Sequence, residues 1–280
     1  MDNYQLTQDQ ITAYGVCLRT EEHTPSTIEK YLRDTRAFAV WLEGRPVTRE
    51  LAAEWRDRLL SSGHKPSTVN SMLAAVNGLF RFLGWGIRVK FLKVQRRLFR
   101  DQSRELTRGE YDLLVNTARA AGKERLALLM EAVCATGVRV SEVKYLTVEA
   151  AQCGRAEIAL KGKIRMILLP NKLCRKLLKY ARKQKIASGE IFLTRSGRSL
   201  SRRQIWAEMK QLCKATGVAS EKVYPHNLRH LFARTFYQAC KDIARLADVL
   251  GHSSIETTRI YLVTTGAEQV GQLDRLGLVS

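Results

Sequence analysis

Apolar residues recur at three- and four-residue steps along most of this chain, and that spacing restricts it to a mainly helical fold. In the first part of the chain the spacing predicts four helices, near residues 7–20, from Pro25 to Gly44, from Thr48 to Ser62 and from Pro66 to Leu83. Residues 156–170 change to a two-residue alternation around Gly162, which predicts a β-hairpin. The expected class is therefore mainly α with one small β-sheet.

Two capping-box patterns mark expected helix starts. Ser26 is followed by Glu29 just after Pro25, and Thr107 is followed by Glu110, where a second domain begins. Beyond that point the pattern predicts an apolar helix near 124–134, a new helix at Ser141 and a strongly basic helix at 171–185. We therefore expect a four-helix domain over residues 1–87, a basic linker over 88–105 and a second domain over 106–280.

The charge balance indicates a polyanionic partner. The chain has 280 residues, with 47 Lys and Arg against 27 Asp and Glu, a formal net charge of +20. Nucleic acid is the favoured partner, because neutralising phosphates releases counterions. A membrane surface is less favoured, since no apolar run reaches about 18 residues and the first residues do not form a signal peptide.

The linker concentrates this charge. Residues 88–108 hold eight basic residues and two acidic ones. The segment is either a solvated helix face or a connector that contacts DNA phosphates while two domains wrap a duplex. The candidate DNA contacts within it are Arg88, Lys90, Lys93, Arg96 and Arg97.

The cysteine pattern and the absence of cofactor motifs limit the expected location of the protein and its expected cofactors. The six cysteines are scattered and form no CxxC pair, so we expect reduced thiols in a cytoplasmic protein rather than a zinc ribbon. Neither GxxxxGK[ST] nor GxGxxG occurs, and there is no DxD-like or HExxH cluster. We therefore expect no nucleotide cofactor and no metal.

Three short segments carry candidate reactive residues. They are Ala135-Thr136-Gly137-Val138-Arg139-Val140-Ser141-Glu142, His226-Asn227-Leu228-Arg229-His230, and Leu250-Gly251-His252, with Tyr261 nine residues after that histidine. Each alone has an ordinary structural explanation. In this order, and in a strongly basic chain, they resemble the three boxes of the tyrosine recombinase (integrase) family over about residues 106–265. The helical first domain resembles the family's core-binding, SAM-like domain.

The residue types fit metal-free cleavage of a DNA phosphodiester. The Tyr261 hydroxyl is a competent nucleophile that forms a covalent phosphoester. Arg139 and Arg229 present permanently charged forks for phosphate oxygens and would stabilise the pentacovalent transition state. His226 and His252 can donate hydrogen bonds to the same phosphate or move protons near neutral pH.

The resemblance implies further roles. In the family a lysine in the hairpin turn protonates the leaving 5′ oxygen, and Lys161 matches it in a KGxKxR-like segment. This turn is one residue shorter than the family's, so Lys163 is a rival. Lys163 and Arg165 are also candidate DNA contacts. Glu142 matches an acidic position that orients the catalytic arginine or a histidine. At the start of a helix, its carboxylate would also be stabilised by the helix dipole.

The resemblance also implies the reaction. Tyr261 forms a 3′-phosphotyrosyl link, strands exchange through a Holliday junction, and no ATP or metal is needed. We expect a homotetramer on double-stranded DNA, with residues 262–280 reaching a neighbouring protomer, and a Xer-like enzyme or the recombinase of a compact mobile element. A partner recombinase or an accessory protein remains open. Two rivals are an architectural DNA-binding protein with this fold and an enzyme that relaxes DNA as type IB topoisomerases do.

Overall fold

The computed structural model describes residues 4–94, 102–160, 163–261, 270–271 and 274–276. The chain divides into two compact units, residues 1–96 and 97–280. The described residues are mostly helical and contain one two-stranded sheet, so the predicted class is confirmed. No helix in the described ranges combines the length and apolar character needed to cross a membrane.

The first unit consists of the four predicted helices. They are α1 (Gln8–Thr20), α2 (Pro25–Leu42), α3 (Arg49–Ser61) and α4 (Pro66–Phe82). Their apolar faces meet around Phe38, whose ring packs edge-on against Trp55 at 5.0 Å and Phe80 at 5.7 Å between centroids. Edge-to-face aromatic packing adds to the stabilisation from buried area, so these rings anchor the core of the unit.

The predicted capping box at Ser26 and Glu29 is wrong. Helix α2 begins at Pro25, two residues earlier than a cap at Ser26 would place it, and Thr24 is its N-cap residue without a side-chain bond to the backbone. The Thr24 hydroxyl instead contacts the Thr27 hydroxyl at 2.9 Å. Proline determines this start, because its fixed φ suits the first helical position and its missing N–H would have no partner there.

Two asparagines of α4 hold the beginning of the expected linker. The Asn77 side chain donates to the Val89 carbonyl and accepts from the Val89 N–H, both at 2.9 Å. Two helical turns earlier, Asn70 makes the same pair of bonds to Leu92, at 2.9 and 2.8 Å. Residues 88–92 are therefore attached to the first unit, while the predicted domain boundaries stay predictions.

The second unit contains the remaining named elements. In chain order these are a single 3₁₀ turn (Gln102–Arg104), α5 (Arg108–Ala120), α6 (Glu124–Thr136), a 3₁₀ helix (Val140–Tyr145), α7 (Val148–Cys153), β1 (Arg155–Leu160), β2 (Lys163–Leu168), α8 (Asn171–Lys183), α9 (Arg202–Thr216), a second 3₁₀ turn (Ser220–Lys222), α10 (Pro225–Cys240), α11 (Ile243–Leu250) and α12 (Ile255–Arg259). The predicted capping box at Thr107 and Glu110 is confirmed. The helix expected from Ser141 is the 3₁₀ helix, a form common in short connectors.

Strand β2 of the hairpin turns its more apolar face outward. Strands β1 and β2 pair antiparallel, with Ile158 opposite Arg165. Ile164, Met166 and Leu168 are exposed, whereas Ile167 is buried and Arg165 is largely covered. Because alternate residues of a strand share a face, the side chain of Arg165 points inward, toward the segment after α6. The turn residues 161 and 162 lie outside the described residues.

Candidate active site

A glycine turn at the end of α6 starts the site. Gly137 has φ +65°, and a Cβ there would lie 2.5 Å from the Cδ1 atom of Phe232 and 3.0 Å from a methyl carbon of Leu250. Both the left-handed backbone and the close approach therefore require glycine. The turn ends α6 and leads the chain out to Arg139, which caps the 3₁₀ helix.

A single buried carboxylate joins two arginines. Glu142 is 2% exposed; its Oε1 accepts from Arg139 Nη1 at 2.9 Å, and its Oε2 accepts from the Arg139 backbone N–H at 2.7 Å. The Oε2 atom also accepts from Arg165 Nη2. Burial alone would raise the pKa of Glu142, but the hydrogen bond from the Arg139 backbone and the charges of Arg165 and Arg139 lower it overall. Glu142 is therefore ionised at neutral pH.

Arg229 is buried, and no carboxylate of the described residues pairs with it. Its side chain, from α10, is 1% exposed and donates to the Gly137 carbonyl and, at 2.8 Å, to the Leu250 carbonyl. These carbonyls end α6 and α11, where helix dipoles place partial negative charge. Burial and the nearby Arg139 lower the pKa of Arg229, whereas the Tyr261 hydroxyl is close enough to raise it. The guanidinium nevertheless keeps its charge.

At the end of α11, three consecutive backbone carbonyls each accept a hydrogen bond from a different arginine. Arg165 donates to Val249 at 3.1 Å, Arg229 donates to Leu250, and Arg139 donates to Gly251 at 3.4 Å. Gly251 permits this convergence, because a Cβ there would lie 2.3 Å from Arg165 Cδ. One helix end therefore sets the positions of all three guanidinium groups.

The bonds of His252 fix its tautomer. Its Nε2 atom lies 2.9 Å from Arg229 Nη2, and its Nδ1 atom lies 2.8 Å from the hydroxyl of the buried Thr258. Arginine only donates, so Nε2 must accept and Nδ1 must carry the proton. Burial, followed by the charges of Arg229 and Arg139, lowers the pKa of His252 to about 4. His252 is therefore neutral at pH 7 in the free protein.

The Tyr261 ring lies between two histidine rings. Tyr261 is 5% exposed, with His230 edge-on at 4.6 Å and His252 nearly parallel at 5.9 Å between ring centroids. His230 in turn meets the His226 ring at 4.7 Å. Burial and then neighbouring His226 lower the pKa of His230 to about 4, and burial and then Arg229 lower the pKa of His226. The tyrosine is thus docked beside the arginines of its own chain.

A basic cleft opens beside these groups. Its volume is about 770 Å³, and its lining includes the exposed Trp206 of α9. The lining side chains that carry or can acquire positive charge are Arg139, Lys144, Arg202, Arg203, His226 and Arg229. Such a cleft suits a polyanion whose phosphate reaches the guanidinium groups. In the described part of the chain, no group of three His, Cys, Asp or Glu side chains is arranged to hold a metal ion.

The structure brings six of the predicted site residues together. They are Arg139, Glu142, His226, Arg229, His252 and Tyr261. Lys161, Arg96 and Arg97 lie outside the described residues, as does the side chain of Lys163. Arg88, Lys90 and Lys93 are exposed on the first unit. Arg165, predicted as a DNA contact, has a side chain only 14% exposed beside Glu142.

Two residues at the site had no predicted role there. Thr258 orients His252, and His230 contacts the Tyr261 ring. Both lie within the segments that carried the reactive residues, with Thr258 three residues before Tyr261 and His230 next to Arg229. Proximity in sequence was the available signal, but only the packing of α10 against α11, and of α11 against α12, shows what these side chains contact.

Comparison with known proteins identifies the family. Residues 104–267 match the profile described as "Phage integrase family", and residues 11–86 match "Phage integrase, N-terminal SAM-like domain". The tyrosine recombinase XerC of Roseiflexus castenholzii is 31% identical over 90% of this chain and 88% of its own length. The tyrosine recombinase XerA of Thermococcus kodakarensis is 28% identical over 91% of this chain and 90% of its own.

Solved structures share the fold. A lambda integrase tetramer bound to a Holliday junction superposes with a TM-score of 0.74 at 19% identity, covering 93% of this chain and 78% of that chain. The matched family profile and the 31% identical XerC relative show that the chain belongs to the phage integrase family. Within that family it is a site-specific DNA recombinase of the tyrosine type.

Proposed function

We propose that Tyr261 is the nucleophile of this recombinase and that Arg139 and Arg229 hold the phosphate it attacks. The observation that carries the proposal is the buried Tyr261 ring, docked between His230 and His252 with its hydroxyl near Arg229. A nucleophile held near the groups that bind its target needs little reorganisation before it reacts. The bonds to carbonyls keep both guanidiniums in place before the phosphate arrives.

The proposed step balances as a transfer between two oxygens. The Tyr261 oxygen bonds to phosphorus and gives up its proton to a neutral histidine, His226 or His252, while the bond from phosphorus to the 5′ oxygen breaks. Lys161, the candidate acid between β1 and β2, protonates the leaving 5′ oxygen, and Lys163 is the alternative. The product is a 3′-phosphotyrosyl link and a free 5′ hydroxyl, and the reverse reaction with a new 5′ hydroxyl reseals the strand.

The histidines complete the proposed site. His226 and His252 are neutral in the free protein, and a bound phosphate would favour their protonated forms. Protonation would make His252 Nε2 a donor toward the phosphate instead of an acceptor from Arg229. Glu142 orients Arg139 through both its side chain and its backbone N–H.

The proposed substrate is double-stranded DNA, and the proposed active form is a homotetramer. The cleft beside Arg139 and the exposed Arg88, Lys90 and Lys93 of the first unit supply positive charge for a duplex. The lambda integrase tetramer on a Holliday junction, which has the same fold, supports this assembly. Exchange of residues 262–280 between protomers belongs to the same proposal.

A covalent adduct tests the nucleophile. Duplexes that bind the chain are selected from a genomic pool and sequenced for an inverted repeat around a short spacer, and that site is rebuilt as a nicked suicide duplex. Denaturing gels should show a protein–DNA adduct with the wild-type chain and none with Tyr261→Phe, because the variant has no hydroxyl to attack phosphorus. Tyr237→Phe is the matched control and should keep the adduct, since Tyr237 packs near the same cluster.

Two results would contradict the proposal. An adduct that persists in Tyr261→Phe would place the nucleophile elsewhere. Failure of the wild-type chain to form an adduct on any tightly bound site would favour an architectural DNA-binding protein. Relaxation of supercoiled DNA without exchange between two sites would leave the nucleophile in place but assign a topoisomerase-like outcome.

A further inference from the structure

We propose that Arg165 is a positioning residue that fixes the hairpin over the site, rather than a DNA contact. The side chain of Arg165 is 14% exposed and lies on the inward face of β2, next to the buried Ile167. Burial alone does not exclude a phosphate contact, because Arg229 is buried more deeply, but Arg229 lines the basic cleft and Arg165 does not.

Both terminal nitrogens of the Arg165 guanidinium donate hydrogen bonds to the protein. One nitrogen, Nη2, donates to Glu142 Oε2, and the other, Nη1, donates to the Val249 carbonyl at 3.1 Å. The aliphatic part of the side chain passes against Gly251, where any Cβ would collide with it. Arg165 thereby connects β2 with the segment after α6 and with the end of α11.

This connection bears on the chemistry because the proposed acid, Lys161, lies just before β2 in the chain. Lys161 precedes β2 by two residues in the sequence, so the placement of β2 limits where that lysine can reach. A shift of the hairpin by one ångström would misplace the acid, and such errors cost on the order of 10²-fold in rate. The inference rests on the proposed function in this respect, since it assumes that the hairpin supplies the proton for the leaving 5′ oxygen.

The charge distribution agrees with a structural use of Arg165. One carboxylate, Glu142, serves two guanidiniums, and Arg165 is the more buried of the pair because the Arg139 side chain is 38% exposed. Arg139 also lines the open cleft, whereas Arg165 does not. Arg139 is thus placed to meet a phosphate while Arg165 serves the protein scaffold.

Arg165→Lys separates the two roles, because it keeps the charge and loses the two-ended connection. A phosphate contact would tolerate lysine, whereas a single ammonium cannot reproduce the fork to Glu142 and Val249. We expect the rate of adduct formation at saturating suicide duplex to fall on the order of 10²-fold, with unchanged DNA affinity and an unchanged salt dependence of binding. Arg155→Lys, exposed on the same hairpin, is the matched control and should keep the wild-type rate.

A second substrate reports on the leaving group. Replacing the 5′ bridging oxygen of the scissile phosphate by sulfur gives a leaving group that departs without an acid. We expect this substrate to restore most of the rate lost in Arg165→Lys and in Lys161→Ala. It should not restore the rate lost in Arg139→Gln, because that variant lacks a positive charge that stabilises the phosphate. Circular dichroism and thermal unfolding confirm that each variant is folded, and Arg165→Gln serves as a second variant with the same expectation.

Several outcomes would overturn the assignment. A normal rate in Arg165→Lys would exclude the positioning role, and weaker DNA binding with a smaller salt dependence in Arg165→Gln would make Arg165 a DNA contact. A loss of rate that sulfur does not restore would exclude a role in placing the acid. If sulfur rescues Arg165→Lys but not Lys161→Ala, the positioning role stands and the acid of the proposed function must be reassigned, with Lys163 next.

Discussion

Gly137→Ala should be among the most damaging single-methyl changes at this site. An alanine there must adopt φ +65°, which costs a non-glycine residue about 1–2 kcal/mol. The added methyl would also lie 2.5 Å from Phe232 Cδ1, and overpacking of this kind costs about 1–3 kcal/mol more. We therefore expect the free energy of unfolding of the second unit to fall by about 2–5 kcal/mol.

Gly154→Ala is the matched control. Gly154 also follows a helix of the second unit, with φ +70°, but no atom of the described residues lies within 4 Å of a Cβ placed there. It should lose only the backbone part, about 1–2 kcal/mol. Both variants gain similarly from the reduced entropy of the unfolded chain, so that contribution cancels in the comparison.

Urea unfolding followed by far-UV circular dichroism measures both losses. Because the Gly137 carbonyl accepts from Arg229, Gly137→Ala should also slow adduct formation under conditions where the protein remains folded, whereas Gly154→Ala should not. Equal destabilisation of the two variants would refute the steric argument. Normal adduct formation by a folded Gly137→Ala would refute the link between this turn and Arg229.

Two further predictions concern stability. The pKa of His230 is about 4 in the folded protein and near 6.5 when unfolded, so the unfolded chain binds more protons between these values and the free energy of unfolding should fall as the pH drops from about 6.5 to about 4. Urea titrations across this range should show a shallower pH dependence for His230→Gln, and an unchanged slope would contradict the assigned burial. Asn77→Ala should lower the stability of the first unit by about 2–4 kcal/mol, because it leaves the buried Val89 N–H and carbonyl without partners. Asn70→Ala, at a less buried pair, should cost less when both are followed by tryptophan fluorescence, and the reverse order would contradict the argument.

The sequence predicts most helices of this fold for local reasons. Helical spacing located α3, and helical spacing with a predicted cap at Thr107 located α5, since both signals lie close to the helix start. The error at Ser26 is also local, because the proline at the first helical position outweighed the capping-box pattern. The three short segments located the candidate site because the spacing of residues within each segment matches the family pattern.

The inward face of β2 was beyond such reasoning. Alternation shows which residues share a face, but a hydrophobic rule would bury Ile164, Met166 and Leu168, and these are exposed. The opposite face is buried because Arg165 meets Glu142, 23 residues earlier in the chain. The burial of Arg229 likewise depends on carbonyls of two helix ends, which no side-chain pattern records.

The geometry around the three arginines is inherited from the main chain. Their acceptors are successive peptide carbonyls at residues 249, 250 and 251, whose mutual spacing follows from the helix end itself. Side-chain replacement cannot delete a carbonyl, so evolution can vary Val249 or Leu250 within the limits of packing and keep the same three anchor points. Gly251 is the exception, because the absence of its side chain is what admits Arg165.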